Sequence, residues 1–249
     1  MSEDTSLEET LSNVRRHLNS GLLNQSRPAN VLVAVEATLK EQNQAATAVA
    51  YCASLQSVLK ETISRESGSL KLGEDDIIPA VLYLLSLVLP HVSHHVVRSH
   101  LSTLLELIAP LFPLLNGSAP SLRSQLGIYG ALFPALDRNL LTSTLLLRQS
   151  YASILQYTLD TRPKVRKKAQ EVVLATISSP PPPLITHPYA NQTAEAIIGV
   201  LEVIASGPGK TDNAQTGIWA CSFVKSLAPV WPPSVCIYMP RHCNLCVDA

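Results

Sequence analysis

Apolar positions recur at helical spacing along almost the whole chain. Leu7, Leu11, Val14 and Leu18 fall at i, i+4, i+7 and i+11, one face of a helix. Pro28 sits where the next helix is expected to start, because a first turn does not need the missing N–H. Val31, Val35 and Leu39 carry its stripe. Ala48 to Ile63 reads as a third helix, with Tyr51, Leu55, Val58, Leu59 and Thr62 on one side. Ser64 to Gly73 is polar, contains two glycines and is expected to be a loop. Asp75 and Asp76 then place acidic residues at the start of a very apolar helix, where the helix dipole favours them. Further helices are expected at 93–115, 119–135, 138–158, 163–178, 189–206 and 213–228. The breaks fall at Asn116-Gly117-Ser118, Asp137, Asp160-Thr161, Pro180–Pro183 and Gly207-Pro208-Gly209. No segment alternates with period two for long enough to make a strand.

The pattern therefore predicts an all-α protein of about ten helices, several of them apolar on more than one side, as happens when a helix is sandwiched between neighbours. Helix pairs recur at roughly 40 residues, the period of HEAT and armadillo arrays, in which each hairpin buries its face on the next. Periodicity alone fits such a solenoid and an ordinary helical bundle equally well.

Composition narrows the function classes. Charged residues are 15% of the 249, against a usual quarter, and the formal net charge is zero. A chain this apolar is not disordered throughout, and a neutral one is not a uniformly basic nucleic-acid binder. Leucine excess and scarce glycine favour helices over sheets. Ile77 to Val97 carries no Asp, Glu, Lys or Arg, but Pro79 and Pro90 interrupt it. Its clean stretch, Ala80 to Leu89, is about half of the roughly 20 residues a membrane span needs, so a buried helix is expected. The acidic start does not resemble a signal peptide. The cysteines do not look like a disulfide framework, which points to the cytosol or nucleus.

Motifs that could carry chemistry are weak. Cys236, His242, Cys243 and Cys246 include a Cys-x-x-Cys, but His242 and Cys243 are adjacent and no second knuckle follows. Gly207-Pro-Gly209-Lys210-Thr211 looks like a phosphate loop until the position five before Gly209, where the motif needs glycine and Ile204 stands. His94 and His95, at i and i+1, do not share a helix face, and Glu74-Asp75-Asp76 is better explained as helix capping. Leu101-Ser-Thr-Leu104-Leu105 and Leu111-Phe-Pro-Leu114-Leu115 match LxxLL, as leucine-rich core helices do by chance. No nucleophile–base–orienter set is present. No catalytic, cofactor-binding or metal-ligating residue is assigned, and the chain reads as non-enzymatic with no small-molecule substrate.

The most informative segment is Asp160-Thr-Arg-Pro163-Lys164-Val165-Arg166-Lys167-Lys168-Ala169. A HEAT repeat typically has an Asp in the turn between its helices, then a Val-Arg pair, then Ala three residues after the Arg. Asp160 is placed to cap amides of the second helix. Pro163 suits its first turn, Val165 and Ala169 fall on the core side, and Arg166 can reach back toward an Asp. The stretch Arg162 to Val173, Pro180–Pro183, His187-Pro188, Thr193-Ala194, Ile218-Trp-Ala-Cys-Ser-Phe-Val-Lys225 and Trp231-Pro232 resembles the ribosomal-RNA-processing protein 12 family. The resemblance covers residues 1–234, most clearly 120–234.

The resemblance implies a HEAT/armadillo-like α-solenoid, a superhelix of stacked antiparallel helix pairs. It further implies part of a non-enzymatic scaffold of the nucleus and nucleolus that associates with pre-ribosomal particles and rRNA, supports rRNA maturation and nuclear export of the subunits, and meets Ran/karyopherin-type transport proteins. Residues 235–249 do not continue the helical pattern, and the family's greater length suggests an array that stops early. Five cations lie between 162 and 168, of which Lys164, Lys167 and Lys168 are the candidate phosphate contacts. The competing expectations are a karyopherin-like adaptor that binds proteins and does not touch RNA, and a truncated fragment with no activity of its own.

Overall fold

The computed structural model describes residues 2–65, 77–206 and 211–231. Among the described residues the fold is all-α, with thirteen α-helices and two short 3-10 turns and no strand. The chain divides into two compact units, Met1–Ala135 and Leu136–Ala249.

The first unit contains α1 (Ser2–Arg15), α2 (Leu23–Glu41), α3 (Ala48–Arg65), α4 (Ile78–Val88), α5 (His94–Ser99), α6 (Leu101–Ile108), α7 (Leu111–Leu115) and α8 (Ala119–Leu132), with 3-10 turns at Leu89–His91 and Phe133–Ala135. Helix α4 is its centre, packed against α2, α3 and α8. It has no charged residue, and Ile78, Ala80, Val81, Leu82, Leu84, Leu85 and Val88 are all buried, so it is apolar nearly all round because it has neighbours nearly all round. No described helix is long and apolar enough to cross a membrane.

A polar clamp ties α1, α2 and α3 at the edge of this core. Arg15 Nη2 meets Glu36 Oε1 at 2.7 Å and Arg15 Nη1 meets Glu8 Oε1 at 2.6 Å, while the Tyr51 hydroxyl donates to Glu36 Oε1 at 2.9 Å. The hydrogen bonds from Arg15 hold the Glu8 carboxyl below its ordinary range. Burial, with Glu36 alongside, pushes the Tyr51 phenol up to about 12. Deeper in, Gln125 Nε2 donates to the end carbonyl of α6 at Ile108, 2.6 Å away, and Arg98 Nε donates to the Ala135 carbonyl at 2.6 Å.

The second unit contains α9 (Arg138–Ser143), α10 (Leu145–Tyr157), α11 (Pro163–Ser178), α12 (Ala190–Ser206) and α13 (Thr211–Leu227). Asp137 Oδ1 accepts from Leu140 N at 2.9 Å, the cap that starts α9. Helix α10 pairs with α11 and α12 with α13, and the pairs meet through α10 with α12 and α11 with α13. Their core is partly polar. The Thr193 hydroxyl donates to the Tyr189 carbonyl at 2.9 Å, which leaves Tyr151 as the donor in its 2.7 Å bond to Thr193. The Tyr189 hydroxyl donates to the Leu141 carbonyl at 2.8 Å.

Several expectations are corrected. Helix α1 ends at Arg15, and i−3 bonds from His17 N and Leu18 N tighten the chain, turning Leu18 off the stripe to 40% exposure. Helix α2 begins at Leu23, so Pro28 lies inside it and the Asn24 carbonyl loses its i+4 donor. Asn24 is exposed and water serves it. The buried stripe of α2 runs Pro28, Leu32, Val35, Leu39, with Leu32 in place of Val31. Residues 93–115 form three short helices, α5, α6 and α7, with Pro110 capping the last. Residues 138–158 form α9 and α10, separated by extended Thr144 at φ −85°, ψ 101°. The expected loop at 64–73 (from 66 on), the Asp75-Asp76 helix start, the Gly207–Gly209 break and the tail 235–249 lie outside the described residues.

Candidate nucleic-acid interface

The α10–α11 corner is built by one carboxylate and two arginines. Asp160 Oδ1 accepts the Arg162 amide at 2.8 Å, and its carboxylate receives the Arg162 guanidinium, Nη2 to Oδ2 at 2.6 Å. Asp160 therefore stiffens the turn by holding the residue just before the helix, and does not cap an amide inside the first turn. The Arg162 hydrogen bonds hold its carboxyl below the ordinary value. Pro163 opens α11, and Val165 and Ala169 are fully buried.

Arg166 does not reach a carboxylate. Its Nη1 donates to the Asp160 carbonyl at 2.6 Å, and its guanidinium lies 3.8 Å from the ring centroid of Trp219 on α13. A cation over an aromatic face is an attractive arrangement, and here it links two helices. Sequence reading missed this role of Trp219, and the residue's only signal was its place in the Ile218–Lys225 segment.

The three lysines behave differently. Positions 164, 167 and 168 stand at i, i+3 and i+4, so they project from one face of α11. Lys164 and Lys167 are exposed. Lys168 is 39% exposed at its side chain and lies 3.9 Å from Glu171, a loose surface pair. The remaining tempting motifs gather nothing. His94 and His95 are exposed on α5. The leucines of the LxxLL matches are core residues, Leu101, Leu104, Leu105, Leu111 and Leu115 being at most 3% exposed. Among the described residues no three His, Cys, Asp or Glu side chains gather as a metal site. The cysteine-rich tail and the core of the Gly207–Lys210 loop lie outside the described residues.

Stacked helix pairs joined by short turns, with an Asp–Arg corner and a Val-Arg…Ala helix start, define a helical-repeat protein of HEAT type, an all-α solenoid. The family model described as RRP12-like, N-terminal HEAT repeats, matches residues 11–218, and the chain belongs to that family.

Curated relatives agree. Ribosomal RNA-processing protein 12 of Saccharomyces cerevisiae is 29% identical, over 84% of this chain and 18% of the relative. Putative ribosomal RNA-processing protein 12 of Schizosaccharomyces pombe is 24% identical, over 97% of this chain and 20% of the relative. RRP12-like protein of Gallus gallus is 27% identical, over 91% and 17%. The chain thus spans no more than 20% of the length of these relatives. No solved structure matches it.

Proposed function

We propose that this chain is a non-enzymatic helical-repeat scaffold of ribosome biogenesis, binding pre-ribosomal RNA through Lys164, Lys167 and Lys168 and supporting rRNA maturation and nuclear export of the subunits. The observation that carries it is the division of labour among the five cations of 162–168. Arg162 and Arg166 turn onto the protein itself, while the three lysines share one face of α11 and point outward. Clustered, accessible ammonium groups suit phosphates, which take point charges without demanding fixed geometry. Family membership and the names of the relatives support the ribosomal setting. Residence in the nucleus and nucleolus, and contact with Ran/karyopherin-type transport proteins, belong to the same reading, as does a repeat region over 1–234 followed by a tail at 235–249.

A salt titration of binding to a single-stranded pre-rRNA oligonucleotide tests it. The wild-type chain binds with a steep salt slope, and K164E/K167E/K168E binds at least tenfold more weakly, with the slope lowered by about 2, at ~0.7 per contact. Binding by the triple variant that matches wild type at moderate salt sinks the proposal and favours an adaptor that carries proteins.

A further inference from the structure

The first unit holds a groove of about 540 Å³ far larger than its other described hollow. That volume lies within the ~300–1,000 Å³ of ligand-binding pockets and is enough for a nucleotide. Three helix starts open onto it: Leu23 and Asn24 of α2, Pro79 and Ala80 of α4, and Pro120 and Ser121 of α8. Ser118 caps α8, its side chain accepting from Ser121 N. Helices α2 and α4 have no side-chain cap, so amides of their first turns face the groove without one. Arg123, Arg27 and His17 line the same groove, and no described lining residue is acidic. Arg27 has other interactions in the fold, so the argument stands on Arg123 and His17, with Arg27 as a wall. Tyr83 is the exposed aromatic of the otherwise buried α4, at 40%, and it borders the groove beside Pro79.

We infer that this groove is a second RNA-binding site, seating one nucleotide of a single strand with its phosphate toward Arg123 and the α2 start and its base against Tyr83. A cationic wall together with converging helix starts selects an anion. An exposed aromatic ring beside flat proline surfaces suits a base, since single strands are held by stacking as much as by charge. An extended acidic peptide is the poorer fit: strand addition needs an open sheet edge, and the described residues contain no strand. The site rests on the RNA-binding reading above but uses none of the α11 lysines.

The test uses the whole chain and a 4-thiouridine-labelled single-stranded oligoribonucleotide, with crosslinked peptides located by mass spectrometry and affinities measured by fluorescence anisotropy. Crosslinks are expected at 22–28, 79–83 or 118–124, and they persist in K164E/K167E/K168E. Y83A weakens binding about tenfold without changing the salt slope, and R123Q weakens it severalfold while lowering the slope by about 0.7. Each variant thus has its own signature, which misfolding would not reproduce. Crosslinks confined to α11, with Y83A and R123Q like wild type, overturn the groove and leave the RNA reading intact. No RNA binding by the wild-type chain overturns both. Weakened binding of a fluorescent polyglutamate peptide by R123Q, with RNA binding unaffected, assigns the groove to a protein partner and also overturns the inference.

Discussion

His187 is neutral in the folded protein for a physical reason. It is 3% exposed, its Nδ1 accepts the Tyr189 amide at 3.1 Å, and the Tyr189 ring meets it edge-on with centroids 5.3 Å apart. Burial pushes its pKa down to about 4 from 6.5. Between those values the unfolded chain binds more protons than the folded one, so stability is full above about 6.5 and falls as pH drops toward 4. The Glu8 and Asp160 carboxyls, depressed from 4.5 and 3.8, act only at the acid end, so the window from about 4.5 to 6.5 isolates the histidine. Chemical denaturation should show the wild type losing on the order of 2 kcal/mol across that window. His187→Asn, whose amide oxygen can still accept from Tyr189 N, should flatten the dependence. The neighbouring relay gives a second expectation. Tyr151→Phe removes one donor and should cost about 1 kcal/mol, whereas Thr193→Val breaks both of its bonds and should cost about twice that; equal losses would contradict the donor order.

At the scale of elements, the α10–α11 corner depends on where two guanidiniums point. Arg166→Ala removes both the bond to the Asp160 carbonyl and the contact with Trp219, and should destabilise the protein by about 1–3 kcal/mol while changing tryptophan emission. Lys167→Ala, on the exposed face, should stay within about 0.5 kcal/mol of wild type. Helix α11 was readable in advance because its signals are local: proline at the start, Val165 and Ala169 at i and i+4, prolines after the end. Helices α5 to α7 and the division at Thr144 were not. His100 and Thr144 are neither glycine nor proline, and what bends the chain there is packing, such as the Arg98 bond to Ala135 across 37 residues. Pro28 misled because a proline is compatible with a helix start, and only the exposed, water-served Asn24 carbonyl lets it sit further in. The candidate site was legible as five cations in seven residues. Their sorting into inward arginines and outward lysines was not, because Trp219 stands 53 positions beyond Arg166.

For the molecule as a whole, a formal charge of zero means that no long-range field draws it to RNA, and binding has to come from local arrangement. That makes net charge an available control. Reversing Lys164, Lys167 and Lys168 takes the chain from 0 to −6, since each change removes one positive and adds one negative charge. Reversing Lys40, Lys60 and Lys225, all exposed, reaches the same −6 from other helices. If RNA responds only to overall charge, the two triple variants weaken binding alike, and both losses fade together as salt shortens the screening length from ~10 Å at 0.1 M to ~3 Å at 1 M. If α11 contacts phosphates, K164E/K167E/K168E loses slope as well as affinity, while K40E/K60E/K225E keeps the wild-type slope. Parallel titrations from low to moderate salt, with helicity checked by circular dichroism, separate the cases. The site-specific result is expected because the three α11 lysines stand within two turns of one helix, close enough to engage neighbouring phosphates of a single strand together.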